Sequence, residues 1–239
     1  MALFFTAVTH FGDHRTINIQ RRPFATVAEM DDVLVAGWNK VVGPDDEVWH
    51  LGDVARRAAD VAALLAALNG IKHLVRGNND SEATAEASGW ASVQDYAEVS
   101  VGGTLLVLCH YPFRSWNGQH RRSVNLHGHS HGRLKPMPRQ FDVGVDARSY
   151  RPVPLNDLLL EVSASPDMLA RRCPPSEVCH DPYPDVQALF AASQLRTLVQ
   201  VTAISHQPPA PRLKATVAGG ATMRHAAKVE ERAMVSTAG

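Results

Sequence analysis

Short apolar runs of β type alternate with helical patterns through the first 160 residues, and past Leu160 the alternation stops. Leu3 to Thr6, Glu47 to Leu51, His73 to Arg76, Val93 to Val101, Thr104 to Cys109, Asn125 to Leu126 and Phe141 to Val145 read as strands. Two helices stand between them. The first opens at Thr26 with Glu29 three residues on, a capping box. It carries Met30, Val33, Leu34, Trp38 and Val41 at helical spacing until Gly43-Pro44 stops it. The second is the Ala-rich run from Ala58 to Leu68, closed by Asn69-Gly70. Such alternation predicts an α/β layered domain over residues 1–160. Residues 161–239 form a Pro/Ala-rich extension in which only Asp185 to Val201 keeps an amphipathic pattern, so one helix in largely irregular chain is expected there.

Composition narrows the class. With 45% apolar residues, 20% charged, and 24 basic against 24 acidic side chains, the 239-residue chain is neither disordered throughout nor a polybasic wrapper of nucleic acid. Apolar runs such as Leu105 to Cys109 fall far short of the roughly 18–20 residues of a membrane span. Met1-Ala-Leu-Phe-Phe-Thr also lacks the cationic lead of a signal peptide, so a cytoplasmic protein is expected, with no membrane partner. Three cysteines, Cys109, Cys173 and Cys179, are too few for a disulfide framework. Cys173-x5-Cys179-His180 is half of a zinc pattern with no second half. One charge bias stands out: between Glu98 and Asp142 there is no acidic residue, while Arg114, Arg121, Arg122, Arg133, Lys135 and Arg139 fall inside. A window of one sign in a neutral chain points to an anionic ligand nearby, with a solvated loop as the alternative.

Nine of the twelve histidines lie in residues 1–131, several where a strand is expected to end. A sheet holds its backbone rigid while the last side chains of neighbouring strands converge, so strand ends are where metal ligands are assembled. The pieces are Thr9-His10, His50-Leu51-Gly52-Asp53, Arg76-Gly77-Asn78-Asn79-Asp80, Cys109-His110-Tyr111-Pro112, and Leu126-His127-Gly128-His129-Ser130-His131-Gly132. In the last, two imidazoles two residues apart share one side of an extended segment, beside a glycine that lets backbone come close. Two cations can share such a segment.

In this order, the five pieces resemble the motifs of the calcineurin-like metallophosphoesterases: Asp-x-His, Gly-Asp, Gly-Asn-His-Asp or Glu, His, and Gly-His-x-His. Flanking words are similar to those of small bacterial members: His10-Phe11-Gly12, Arg22-Pro23-Phe24, Trp49 to Asp53, Leu108 to Pro112, and Asp142 to Ala147. The likeness covers roughly residues 3–155. It implies a four-layer sandwich of two mixed β-sheets flanked by helices, two divalent metals at strand ends, and hydrolysis of phosphate esters by a metal-bridging hydroxide. By position it implies that Asp53 bridges the metals, that His10 and His131 serve the first, and that Asn78, His110 and His129 serve the second. Imidazole, carboxylate and amide donors suit Mn, Zn, Fe or Ni without choosing among them. Metals about 3.5–4 Å apart lower the pKa of a bridging water and bind the phosphoryl oxygens, so neither Ser nor Cys need be a nucleophile. The substrate expected is a small phosphate ester, nucleotide-like or other.

Two positions depart from the motifs. Val8 stands where Asp-x-His has its carboxylate, which leaves the first metal His10, Asp53 and His131 and weakens its affinity. Asp13 is a substitute if its loop turns back; otherwise Asp13 and His14 sit on the surface. Asn79 stands where the motif has the histidine that protonates the leaving group. Asparagine donates a hydrogen bond but delivers no proton, and general acid catalysis is typically worth about 10²–10⁴-fold. Diesters or activated esters are therefore expected to be preferred over alkyl monoesters. The other reading is a phosphoesterase fold without turnover, serving as a metal-binding or interaction module. Arg114 and Arg121 are candidate clamps for the substrate phosphate, Asp80 for orienting a ligand, and His50 and His127 for supporting ligands or filling the core. Trp116 is the tryptophan most suited to stacking on a base.

Overall fold

Leu3–Thr6 is buried at every position, as a strand covered on both faces must be. It is β1 of a computed structural model that describes residues 1–164 and 200–202. The chain continues through α1 (His14–Gln20), α2 (Val27–Val41), β2 (Glu47–His50), α3 (Val61–Ala67), β3 (Ile71–Val75), α4 (Glu82–Ala85) and β4 (Trp90–Gln94). Then come β5 (Tyr96–Val101), β6 (Thr104–Cys109), β7 (Val124–His127), β8 (Gln140–Asp142), β9 (Val153–Pro154), α5 (Leu155–Ala164) and β10 (Gln200–Thr202). Two five-stranded sheets result, in the orders β4-β3-β2-β1-β9 and β10-β5-β6-β7-β8. Both are mixed. β1 to β4 run parallel with β9 antiparallel at one edge; β6 to β8 run parallel, and β5 pairs antiparallel with both β6 and β10.

Alternate residues of the first sheet face opposite layers, as the two-residue period of a strand requires. Phe5, Trp49 and Val75 join Val99, Leu106, Leu108 and Leu126 of the second sheet in one core. Phe4, Val48 and Leu74 face the other way, onto Trp38, Met30, Leu34 and Leu65 of α2 and α3. The fold is therefore α/β, with two mixed sheets flanked by helices.

α2 starts as expected. Thr26 Oγ1 accepts from Glu29 N at 3.1 Å while the Glu29 carboxylate accepts from Ala25 N at 2.8 Å. Met30, Leu34 and Trp38 are buried at its core face, whereas Val33 is 41% exposed on the outer one. The Ala58 to Leu68 run is a 3-10 turn leading into α3.

Two expectations need correction, and a third lies almost wholly outside the described residues. Val93 to Val101 is two strands: the chain leaves the first sheet at Gln94, turns at Asp95, and enters the second at Tyr96. The apolar alternation runs straight through that turn, so periodicity alone does not expose it. Phe141 to Val145 keeps strand character only to Asp142, because a 3-10 turn takes Val145–Ala147. The helix expected over Asp185 to Val201 lies outside the described residues except for Gln200 and Val201, which pair with Ser100 and Val99 as strand. Cys173, Cys179 and His180 also lie outside them. α1, α4, α5 and β9 lie outside the expected elements, and α5 runs through position 160. No helix among the described residues is long and apolar enough to cross a membrane.

Candidate metal centre

Each piece of the histidine-rich pattern follows a strand. His10 lies beyond β1, Asp53 beyond β2, Asn78 and Asn79 beyond β3, His110 beyond β6, and His129 and His131 beyond β7. Parallel neighbours end on the same side, so these residues meet. His110 Nε2 and His129 Nδ1 lie 3.1 and 3.0 Å from Asn78 Oδ1 and 3.2 Å from one another. Three donor atoms about 3 Å apart fit one face of an octahedron around a cation bound at about 2.1 Å. Asn78 completes that triangle: among the described residues no three His, Cys, Asp or Glu side chains are, as placed, gathered into a metal site without it.

Asp53 Oδ2 stands between two groups, 3.7 Å from His110 Nε2 and 3.5 Å from His10 Nε2. The second group is His10 and His131, whose rings stack at 5.4 Å with planes 14° apart. All six residues expected as ligands are therefore brought to one crevice, in the two subsets that the motifs imply.

Side chains behind the donors set which nitrogen faces the crevice. His110 Nδ1 donates to the Leu51 carbonyl at 2.7 Å, leaving Nε2 free to coordinate. His131 Nδ1 bonds Asp146 Oδ2 at 2.7 Å, and Arg22, its side chain wholly buried, holds the same carboxylate through Nε and Nη2 at 2.8 and 2.9 Å. Burial alone raises the Asp146 pKa, but the bonds from His131 and Arg22 prevail and hold it at about 2. Arg22 also donates to the carbonyls of Val8 and Thr9, at 2.7 and 2.8 Å, which fixes the segment leading to His10. Asp80 does the same for Asp53, accepting from Asp53 N, Val54 N and Gly77 N at 2.8 to 2.9 Å. Burial pushes the His10 imidazole down to about 4 against the pull of Asp53, and burial with His110 alongside lowers His129.

Backbone strain is concentrated here. Val8, His10, Asp53, His129 and His131 all have φ between 50° and 60°, a left-handed region that costs a non-glycine residue of order 1–3 kcal/mol. Glycine is required where two segments touch. A Cβ on Gly77 would land on Asp53 Oδ1, and one on Gly52 would lie 2.6 Å from His110 Nδ1.

Val8 is completely buried, its side chain packed on Gly128 and Gly144, and offers the crevice no donor. Asp13 does not take its place. Its carboxylate caps α1 and pairs with Arg15 at 3.0 Å, because a helix N-terminus and a guanidinium claim its oxygens. His14 begins the same helix and is exposed. Asn79 turns inward: Nδ2 donates to Asp53 Oδ2 at 2.7 Å and its backbone N to Oδ1 at 2.9 Å.

The expected phosphate clamps are not at the crevice. Arg121 lines a separate depression with Gly103, Leu105 and Ser123, at the opposite end of β6 from His110. Arg114, exposed on the loop after β6, does not line the cavity beside His110 and Asn78. Counting charges along the chain does not say which end of a strand a loop serves. The arginine on that cavity, of about 330 Å³, is Arg76. Trp116 is buried with Nε1 bonded to Ser123 O, so it stacks on no ligand. His50 and His127 are both buried, bonded to Thr9 Oγ1 and to the Gly128 carbonyl. Asp146 and Arg22 carried a usable signal, since both lie in words that accompany the motifs.

Residues 8–140 match the model of the calcineurin-like phosphoesterase superfamily domain, more than half of the chain. The chain belongs to the calcineurin-like phosphoesterase superfamily. The chain is 28% identical over 170 residues to an uncharacterized protein of Methanocaldococcus jannaschii, covering 67% of this chain and 90% of that one. It is 29% identical over 181 residues to the gene 66 protein of Mycobacterium phage L5, covering 60% and 86%. Among solved structures, a protein of unknown function from Aquifex aeolicus superposes with a TM-score of 0.58 at 22% identity, over 67% of this chain and 98% of that one, a likeness of fold. The superfamily generally uses divalent metal ions.

Proposed function

We propose that the chain is a metal-dependent phosphoesterase that hydrolyses diesters or activated esters, with one strong cation site and one weak one. The observation that carries this is the triangle of Asn78 Oδ1, His110 Nε2 and His129 Nδ1, with edges of 3.0 to 3.2 Å and Asp53 beside it. These four residues would hold the strong cation; His10, His131 and the shared Asp53, which as placed form no tight three-donor cluster, would hold the weak one with water in the remaining positions. A divalent cation bound there supplies a water nucleophile at neutral pH and neutralises charge on the phosphoryl oxygens.

The chain's own residues do the rest. Leu51 and Asp146 hold His110 and His131 in the tautomers that leave Nε2 unprotonated. Asn79 fixes both oxygens of Asp53, so its amide spends its donor on a carboxylate rather than on the leaving group. Cys109, whose thiol burial pushes above its ordinary range, is no nucleophile. The position of the missing histidine is taken by Asn79, which has no proton to deliver. Esters whose leaving group departs unprotonated are therefore the substrates that suit the site.

Metal content of the purified chain, together with hydrolysis of bis(p-nitrophenyl) phosphate in Mn²⁺, tests the proposal. About one tightly held cation per chain is expected, a second only at higher metal concentration, and turnover that His110→Ala abolishes. No metal and no turnover would sink it. The buried Val8 favours a second reading, a metal-binding or interaction module without turnover; activity found only in Val8→Asp would establish that reading instead.

A further inference from the structure

Building on the phosphoesterase reading, we propose that Tyr111 is a specificity residue whose ring, with the cavity beside it, receives a flat, uncharged heteroaromatic group of nucleobase type on the organic side of the ester. Tyr111 follows His110 directly and is 45% exposed. Its ring meets His110 edge-on at 5.0 Å and tilts against His129 at 4.7 Å, so two imidazoles of the crevice brace it without covering it. A braced, exposed ring is a platform on which a planar group stacks at little entropic cost.

The cavity beside it, at about 330 Å³, lies at the small end of the range for ligand pockets, about 300–1,000 Å³. Arg76 and Asp95 stand on its wall with Asn78, His110 and Tyr111. Arg76 Nε and Nη2 donate to Asp95 at 2.7 and 3.0 Å, and Nη1 donates to Glu82 at 2.9 Å. The guanidinium is thus neutralised twice over and selects no second phosphate, while the carboxylates of Asp80, Asp95 and Glu82 repel a polyphosphate. A compact ammonium would find these carboxylates already engaged, Asp95 and Glu82 by Arg76 and Asp80 by three backbone N–H groups. A neutral ring with donors and acceptors on its edge meets a wall offering both.

The test is titration of the full chain in Mn²⁺ with AMP, ribose 5-phosphate, phosphocholine and inorganic phosphate. AMP is expected to bind at least about fivefold tighter than ribose 5-phosphate, the low end of what one base–aromatic stack contributes. Tyr111→Ala should erase that ratio and Tyr111→Phe should keep it. Equal binding of AMP and ribose 5-phosphate, or phosphocholine binding tightest, overturns the stacking proposal while leaving the phosphate site standing. Failure to bind any of the four, inorganic phosphate included, overturns the phosphoesterase reading and this proposal together.

Discussion

Asp146 touches no expected substrate atom, yet two buried cationic or donor groups depend on it. Remove its charge and His131 loses the partner that sets its tautomer, while Arg22 is left buried with its main counterion gone. Asp146→Asn is expected to weaken cation binding by about 10–100-fold, as loss of a ligand's supporting partner typically does; metal competition with a fluorescent chelator measures it. Val8→Asp tests the opposite change. The position is fully buried, so an uncompensated carboxylate costs about 2–4 kcal/mol when metal is chelated. A cation bound there returns stability by mass action. The variant should melt below the parent in EDTA and gain more than the parent from added Mn²⁺, by calorimetry; equal gains would show that position 8 does not face the cation.

Among the elements, the six residues gathered at the crevice are readable because each sits in a short local word at a strand end, where the sheet converts sequence order into proximity. What local words lack is the partner across the fold. Arg22 and Asp146 are 124 residues apart, and nothing near either one announces the other. The turn at Asp95 was hidden because apolar alternation continues across it, although the two halves belong to different sheets. Arg121 was misplaced because a run of positive charge says nothing about which end of β6 it serves. Two elements can be tested directly. The cap of α2 is one: Thr26→Ala should lower stability by about 1 kcal/mol, read from the denaturant midpoint, without altering metal affinity. The loop after β3 is the other. Gly77→Ala puts a methyl onto Asp53 Oδ1 and against Asp53 N at 2.6 Å, so the loop must move and cation binding should fall while α2 and the sheets survive, visible as an unchanged far-UV spectrum.

Over the whole molecule, the burial that aims these imidazoles also makes the metal-free protein sensitive to acid. His10 is pushed down to about 4 and His50 to about 3, and burial lowers His73, His127 and His129 as well. In the unfolded chain each protonates near its ordinary 6.5. Below that pH the unfolded state binds protons that the fold refuses, so their contribution to stability is complete above about 6.5 and declines as pH falls toward 4. Each such histidine adds up to about 1.4 kcal/mol per pH unit to the slope. Asp31 and Asp80, raised by burial, take up protons in the fold and oppose the decline. Asp146 acts elsewhere: its depressed pKa gives stability that persists above 3.8 and disappears only as pH approaches 2. The melting temperature in EDTA should therefore be level above pH 7 and fall steeply between 6.5 and 4. His50→Gln, which removes one refused proton, should lower the plateau and flatten the slope; a parent chain whose stability is unchanged from pH 7 to 4.5 would mean that these rings are not held neutral inside the fold.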